Sequence, residues 1–175
     1  MNYITKKITK SEDLAEIQQI IKKIIGETCW ETRMSYGDEL DLHIGDKIPY
    51  EAKCLRGKFK GSWILGSRCS DWELKLGNKV IVTSLAEDIK EQISVIENQI
   101  ITDININYPE LILSLKFSNG YEFSILPDLN DDSGVSCWEL FTPDHKLLQI
   151  EPNYLWSYLP SNIPINYNDQ LILEV

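Results

Sequence analysis

The residues best spaced for chemistry lie between Asp128 and Glu139. Asp128, Asn130 and Asp132 alternate, and Glu139 follows at the twelfth position. A calcium loop needs oxygen ligands at positions 1, 3 and 5 and a two-oxygen carboxylate at 12, so these four form a candidate calcium set. The pattern breaks at position 6, where a sharp turn wants glycine and Ser133 stands, with Gly134 one step late. The flanks Phe123-Ser124-Ile125 and Trp138-Glu139-Leu140 read as strands, where a calcium loop of this kind is framed by helices. An ordinary acidic loop is therefore the favoured reading, and no metal is assigned. His43 and His145 are the two histidines. Either could serve as a base in a groove, as in a small hydrolase or ligand-binding enzyme, if a carboxylate oriented it. His43 alternates with Leu40, Leu42 and Ile44, which predicts that it faces solvent. His145 follows Pro143-Asp144 and reads as a turn residue. Glu73 and Lys75 with Asp128 and Asp144 hold the residue types of a nuclease, in the wrong order along the chain. The sequence has no phosphate loop, no dinucleotide fingerprint, no zinc helix and no serine elbow, so no catalytic residue and no cofactor are assigned.

Composition narrows the partners. The chain has 175 residues, 17 basic against 27 acidic, and a formal net charge of −10. An acidic surface repels nucleic acid and anionic membrane and steers cationic partners inward. Asp128, Asp131, Asp132 and Asp144, on two polar loops, are the candidate contacts for a basic partner. Cys29, Cys54, Cys69 and Cys137 lack metal-site or redox spacing, and a chain of this length needs no disulfide staples. They are read as reduced thiols, which together with a polar N-terminus predicts a cytoplasmic protein without a membrane span.

These residues need elements to hold them. Ser11 to Gly26 reads as a helix: Ser11 as cap, Glu12 and Asp13 in the first turn, and Leu14, Ile17, Ile21, Ile24 and Ile25 on one face. Ser84-Leu85-Ala86-Glu87 reads as a capping box that opens a second helix over 84–98, with Leu85, Ile89, Ile93 and Ile96 as its stripe. Strands are expected at 30–34, 40–44, 60–66, 72–82, 101–107, 111–125, 136–142 and 146–151, and an edge strand at 170–175. Loops are expected at 46–57 and 127–134. Around Asn119-Gly120, a two-residue turn would set Phe117 against Glu122. A three-residue loop instead pairs Leu115 with Phe123 and requires Gly120 to be left-handed. The same parity places a three-residue loop at Gly77-Asn78-Lys79. The expected fold class is α+β, with mixed or antiparallel sheet covered by the two amphipathic helices.

The pattern runs twice. Ile24 and Ile96 are 72 residues apart, Leu42 and Leu115 are 73 apart, and Trp63 and Trp138 are 75 apart. The chain is expected to form one compact domain, 1–175. Within it, pseudo-repeats 11–83 and 84–151 would each read helix, strand, strand, loop, strand, strand, with a tail at 152–175. Five tryptophans favour a well-filled core, since three of them lie in strand-like segments.

Gly61-Ser62-Trp63-Ile64-Leu65, Leu115-Lys116-Phe117-Ser118-Asn119-Gly120 and Trp138-Glu139-Leu140-Phe141 together resemble a loose class of small acidic bacterial proteins, over about residues 60–150. Some of that class are immunity proteins, which neutralise toxins of neighbouring cells. The resemblance implies a non-enzymatic protein-binding module that blocks a basic toxin domain, and it carries no active site. Two alternatives stand beside it: the enzyme built on His43 or His145, and a structural subunit that forms homodimers through 170–175.

Overall fold

The computed structural model describes residues 5–161. The strand expected at 170–175, and the dimer contact placed on it, lie outside the described residues. The chain forms twelve strands in one continuous antiparallel sheet. They are β1 (Lys6–Lys7), β2 (Thr28–Met34), β3 (Leu40–Pro49), β4 (Phe59–Gly66), β5 (Ser70–Leu76), β6 (Lys79–Thr83), β7 (Gln99–Ile106), β8 (Leu113–Phe117), β9 (Tyr121–Pro127), β10 (Trp138–Phe141), β11 (Lys146–Glu151) and β12 (Leu155–Pro160). Their order in space is β1-β12-β11-β10-β4-β3-β2-β7-β8-β9-β5-β6. Two short helices, α1 (Ala15–Ile21) and α2 (Ile89–Ile93), complete the fold.

The expected roof of two amphipathic helices is corrected by this arrangement. Strands hold 48% of the described residues and helical turns only 18%. The first helical segment does run from Ser11 to Ile24, as a 3-10 turn, α1 and a second 3-10 turn. The second segment loses its first turn. Ser84 is spent on strand chemistry: its amide bonds the Trp72 carbonyl and its hydroxyl bonds Asp71. Leu85, expected in the buried stripe, is 81% exposed. Tertiary pairing outweighs a capping signal that contributes about 1 kcal/mol. What remains of each helix packs locally, α1 against β7 and α2 against β6 and β2. Ile17, Ile21, Ile24, Ile93 and Ile96 are thereby fully buried.

The sheet has two half-sheets that meet at β2 and β7, where Thr28 faces Ile100 and Cys29 faces Gln99. Both β2 and β7 follow a helix and a left-handed residue, Gly26 (φ 92°) and Asn98 (φ 62°). The Gly26 amide bonds the Ile101 carbonyl, and 72 residues on the Asn98 amide bonds the Cys29 carbonyl. Each strand then carries a bulge at a matching place, between Cys29 and Glu31 and between Ile101 and Asp103. After β4 and after β9 the chain changes half-sheet. β5 pairs with β9, and β10 pairs with β4. The equivalence of Trp63 with Trp138 is corrected by this exchange. Leu65 of β4 and Phe123 of β9 hold like positions opposite Leu42 and Leu115. Trp138 on β10 answers to Trp72 on β5, and both are fully buried.

Hairpin parity holds where both strands bury a face. Leu115 faces Phe123, and Gly120 is left-handed at φ 88°. At the sheet edge the outcome differs. Leu74 faces Val82 as expected, but a bulge at Lys75 lets Leu76 face Lys79 across a two-residue turn. Leu76 and Val80 are both exposed there, so burial does not impose the longer loop.

Candidate functional site

The strongest local departure from the protein's acidity is an arm formed by the far ends of β3 and β4. The loop expected over 46–57 is shorter, because β3 continues to Pro49, which pairs with Phe59. A bulge between Ile44 and Lys47, with Gly45 left-handed at φ 77°, interrupts the ladder, and the pair beyond it bonds back to Arg33 of β2 through Tyr50 and Phe59. The arm then carries Lys47, Lys53, Arg56, Lys58 and Lys60 against Asp46 and Glu51. None of those five cations has a carboxylate partner among the described residues. Ile48 and Phe59 are exposed beside them.

At the root of the arm lies a pocket of about 470 Å³, with Trp30, Glu31, Arg33, Lys47, Tyr50 and Phe59 in its wall. Trp30 is the extra residue of the β2 bulge, and Lys47 Nζ stands 4.9 Å from its ring centroid. Arg33 is held in place: its guanidinium donates to Glu31 at 2.6 Å, to the Tyr50 hydroxyl at 3.3 Å and to the Phe59 carbonyl at 3.4 Å. Burial works against the Arg33 charge, but Tyr50 and Glu31 more than restore it and hold its pKa above the ordinary value.

His43 lies against this wall and not in solvent, which corrects its expected position. It is 1% exposed. The bulge takes the Gly61 amide out of the strand ladder, and His43 Nδ1 accepts it at 3.0 Å. The proton of the neutral ring is therefore on Nε2. The Trp30 ring covers the other side, with centroids 5.5 Å apart. Burial first, and then the Arg33 charge, push the His43 pKa below its ordinary value. His43 Nε2 and Trp30 Nε1 are both buried without a hydrogen-bond partner in the protein. A residue at Gly61 with a side chain would place its Cβ 2.4 Å from the Ile44 nitrogen, so glycine alone fits there.

The acidic candidates are dispersed. Asp128 accepts the Asn130 amide, and Asp131 accepts the Ser133 amide, so both shape their loop. Asp132 is exposed. Asp144 sits in the β10–β11 turn, where Thr142 first and then Tyr158 bond its carboxylate and hold its pKa below the usual range. Glu139 is not available to Asp128, Asn130 and Asp132 as a fourth calcium ligand. One of its oxygens accepts from Arg68 at 2.7 Å, and the other accepts from Ser136 and Gln149 at 2.8 Å. No group of three or more His, Cys, Asp or Glu suited to a metal ion occurs among the described residues. His145 occupies the same turn as Asp144 with a left-handed backbone, φ 58°. Glu73 and Lys75 pair with each other along β5.

A half-buried ion cluster marks the crossing from β4 to β5. Arg68, 18% exposed at its side chain, bonds Glu139 and reaches Asp41 at 3.0 Å, with Glu39 at 3.7 Å. Its guanidinium lies directly over Gly66, where a Cβ would stand 2.5 Å from Arg68 Cζ. This cluster ties β3 to β10, and both flank β4.

No helix among the described residues is long and apolar enough to cross a membrane. The chain matches no family model, no curated protein and no solved structure.

The pocket was missed in the sequence because its residues come from β2 and from both strands of the arm. One signal was present: five cations in the fourteen residues from Lys47 to Lys60 of a chain with net charge −10.

Proposed function

We propose that the chain is a non-catalytic protein-binding module that engages its partner through the β3–β4 arm and the pocket at its root. One observation carries this reading: cations without carboxylate partners and exposed Ile48 and Phe59 share one hairpin on an otherwise acidic protein. Aromatic side chains beside cations are the composition of binding hot spots, which need a dehydrated anchor and a charged rim. A cytoplasmic location belongs to this reading, and four unpaired cysteines support it.

The immunity-type reading, in which a basic toxin domain meets Asp128, Asp131, Asp132 and Asp144, is the second. The net charge of −10 favours it, because it would accelerate encounter with a cationic partner. A single experiment separates the two. A photo-crosslinking amino acid is placed at Phe59 in one variant and at Asp132 in another, and adducts from the native cell are identified by mass spectrometry. A partner captured from position 59 supports the arm. Capture from position 132 alone transfers the function to the acidic loop. Absence of any adduct, with turnover in a substrate screen, overturns both.

A further inference from the structure

The pocket at the arm root can be assigned a ligand chemistry, and the assignment rests on the arm being the docking surface. Arg33 is already neutralised by Glu31 at 2.6 Å, which leaves Lys47 and Lys58 as uncompensated charges on the wall. The pocket is therefore cationic within a protein that is anionic overall. That local charge selects an anionic oxygen. Trp30 and Tyr50 then contribute apolar surface around the charge, with Leu55 and Phe59 completing the wall.

We propose that the pocket lined by Trp30, Arg33, Lys47, Tyr50 and Lys58 receives an aspartate or glutamate carboxylate on an acidic, partly apolar segment of the partner protein. Lys47 and Lys58 neutralise the carboxylate, the Trp30 ring beneath Lys47 lines its path, and Phe59 contacts the apolar residue beside it. A nucleic-acid strand fits less well, because it carries a charge at every phosphate against the acidic remainder of the surface, where a peptide segment can bring its carboxylate to the pocket alone.

The test uses the full chain labelled with ¹⁵N and follows the Trp30 indole N–H resonance, assigned by its loss in W30F. The probe is a capped peptide alternating leucine and glutamate, and the control is the same peptide with glutamine. A single-stranded oligonucleotide serves as a third ligand. The expected result is a saturable shift of the Trp30 signal with the acidic peptide and none with the glutamine peptide. In the K47Q/K58Q variant, whose replaced side chains are exposed and bond no carboxylate, binding weakens about 10-fold, as two charge pairs of modest strength require. An unmoved Trp30 signal overturns the proposal, as does an equal shift from the glutamine peptide or a shift from the oligonucleotide alone. If Phe59 still captures a partner while the Trp30 signal stays fixed, the arm reading survives and the pocket assignment falls.

Discussion

Replacing Arg68 by methionine removes the one cation that three carboxylates share. Arg68 bonds Glu139 at 2.7 Å and Asp41 at 3.0 Å, with Glu39 at 3.7 Å, and all four side chains are between 15% and 24% exposed. Methionine fills similar volume over Gly66, so packing is largely kept and the loss is electrostatic. Breaking a buried pair by deleting one partner costs about 3–5 kcal/mol, because the remaining charge stays desolvated. Partial exposure lets water screen the abandoned carboxylates, which brings the expected loss to about 3 kcal/mol. That corresponds to a fall of roughly 150-fold in the folded-to-unfolded ratio, since each 1.4 kcal/mol is tenfold. The assay is urea unfolding followed by tryptophan fluorescence at neutral pH and 25 °C, with the denaturant slope compared to confirm the same two-state transition. R68K separates charge from geometry: it keeps the cation and loses the planar fork that reaches two carboxylates at once, so it should fall between wild type and R68M. A loss below about 1 kcal/mol in R68M would place the cluster with ordinary surface pairs and refute the idea that it fastens β10 beside β4 and β3.

Two further outcomes follow from the same geometry. His43 has its pKa lowered by burial and by Arg33, so at low pH the unfolded chain takes up a proton that the folded chain resists. Its contribution is complete above the free-imidazole value of about 6.5 and is lost as pH falls below it, so stability measured by thermal unfolding should decline through that window. In H43N the amide oxygen can accept the Gly61 N–H in place of Nδ1 and the decline should flatten; an unchanged pH profile would remove His43 as its cause. For the thiols, burial first, and then neighbouring negative groups, push Cys29 and Cys137 up to about 12, while Cys54 and Cys69 are exposed. Iodoacetamide should label two sites in the folded protein and four in urea, as counted by intact mass; rapid labelling of Cys29 in the native state would contradict its burial.

What the sequence determined by itself was local. Alternation placed most strands within a residue or two, as at 30–34, 60–66 and 146–151. Burial of one face on both strands made the turn at Asn119-Gly120 predictable, because a one-residue slip there would turn Leu115 and Phe123 toward water. The spacing of Ile24 and Ile96 also foreshadowed matched entries into β2 and β7, since a helix stripe and the left-handed residue after it are written in consecutive positions. The rest required distance. Ser84 looked like a helix cap until Trp72, twelve residues away, claimed its amide. His43 looked solvent-facing because periodicity cannot see that a bulge on its own strand would free the Gly61 amide and bring Trp30 over the ring. Glu139 looked like a calcium ligand until the exchange of strands between half-sheets put Arg68 beside it, 71 residues away. Pattern records which face of a strand is apolar. Which strand lies alongside, and so which polar group finds its partner, is decided by pairing energies between segments far apart in the chain.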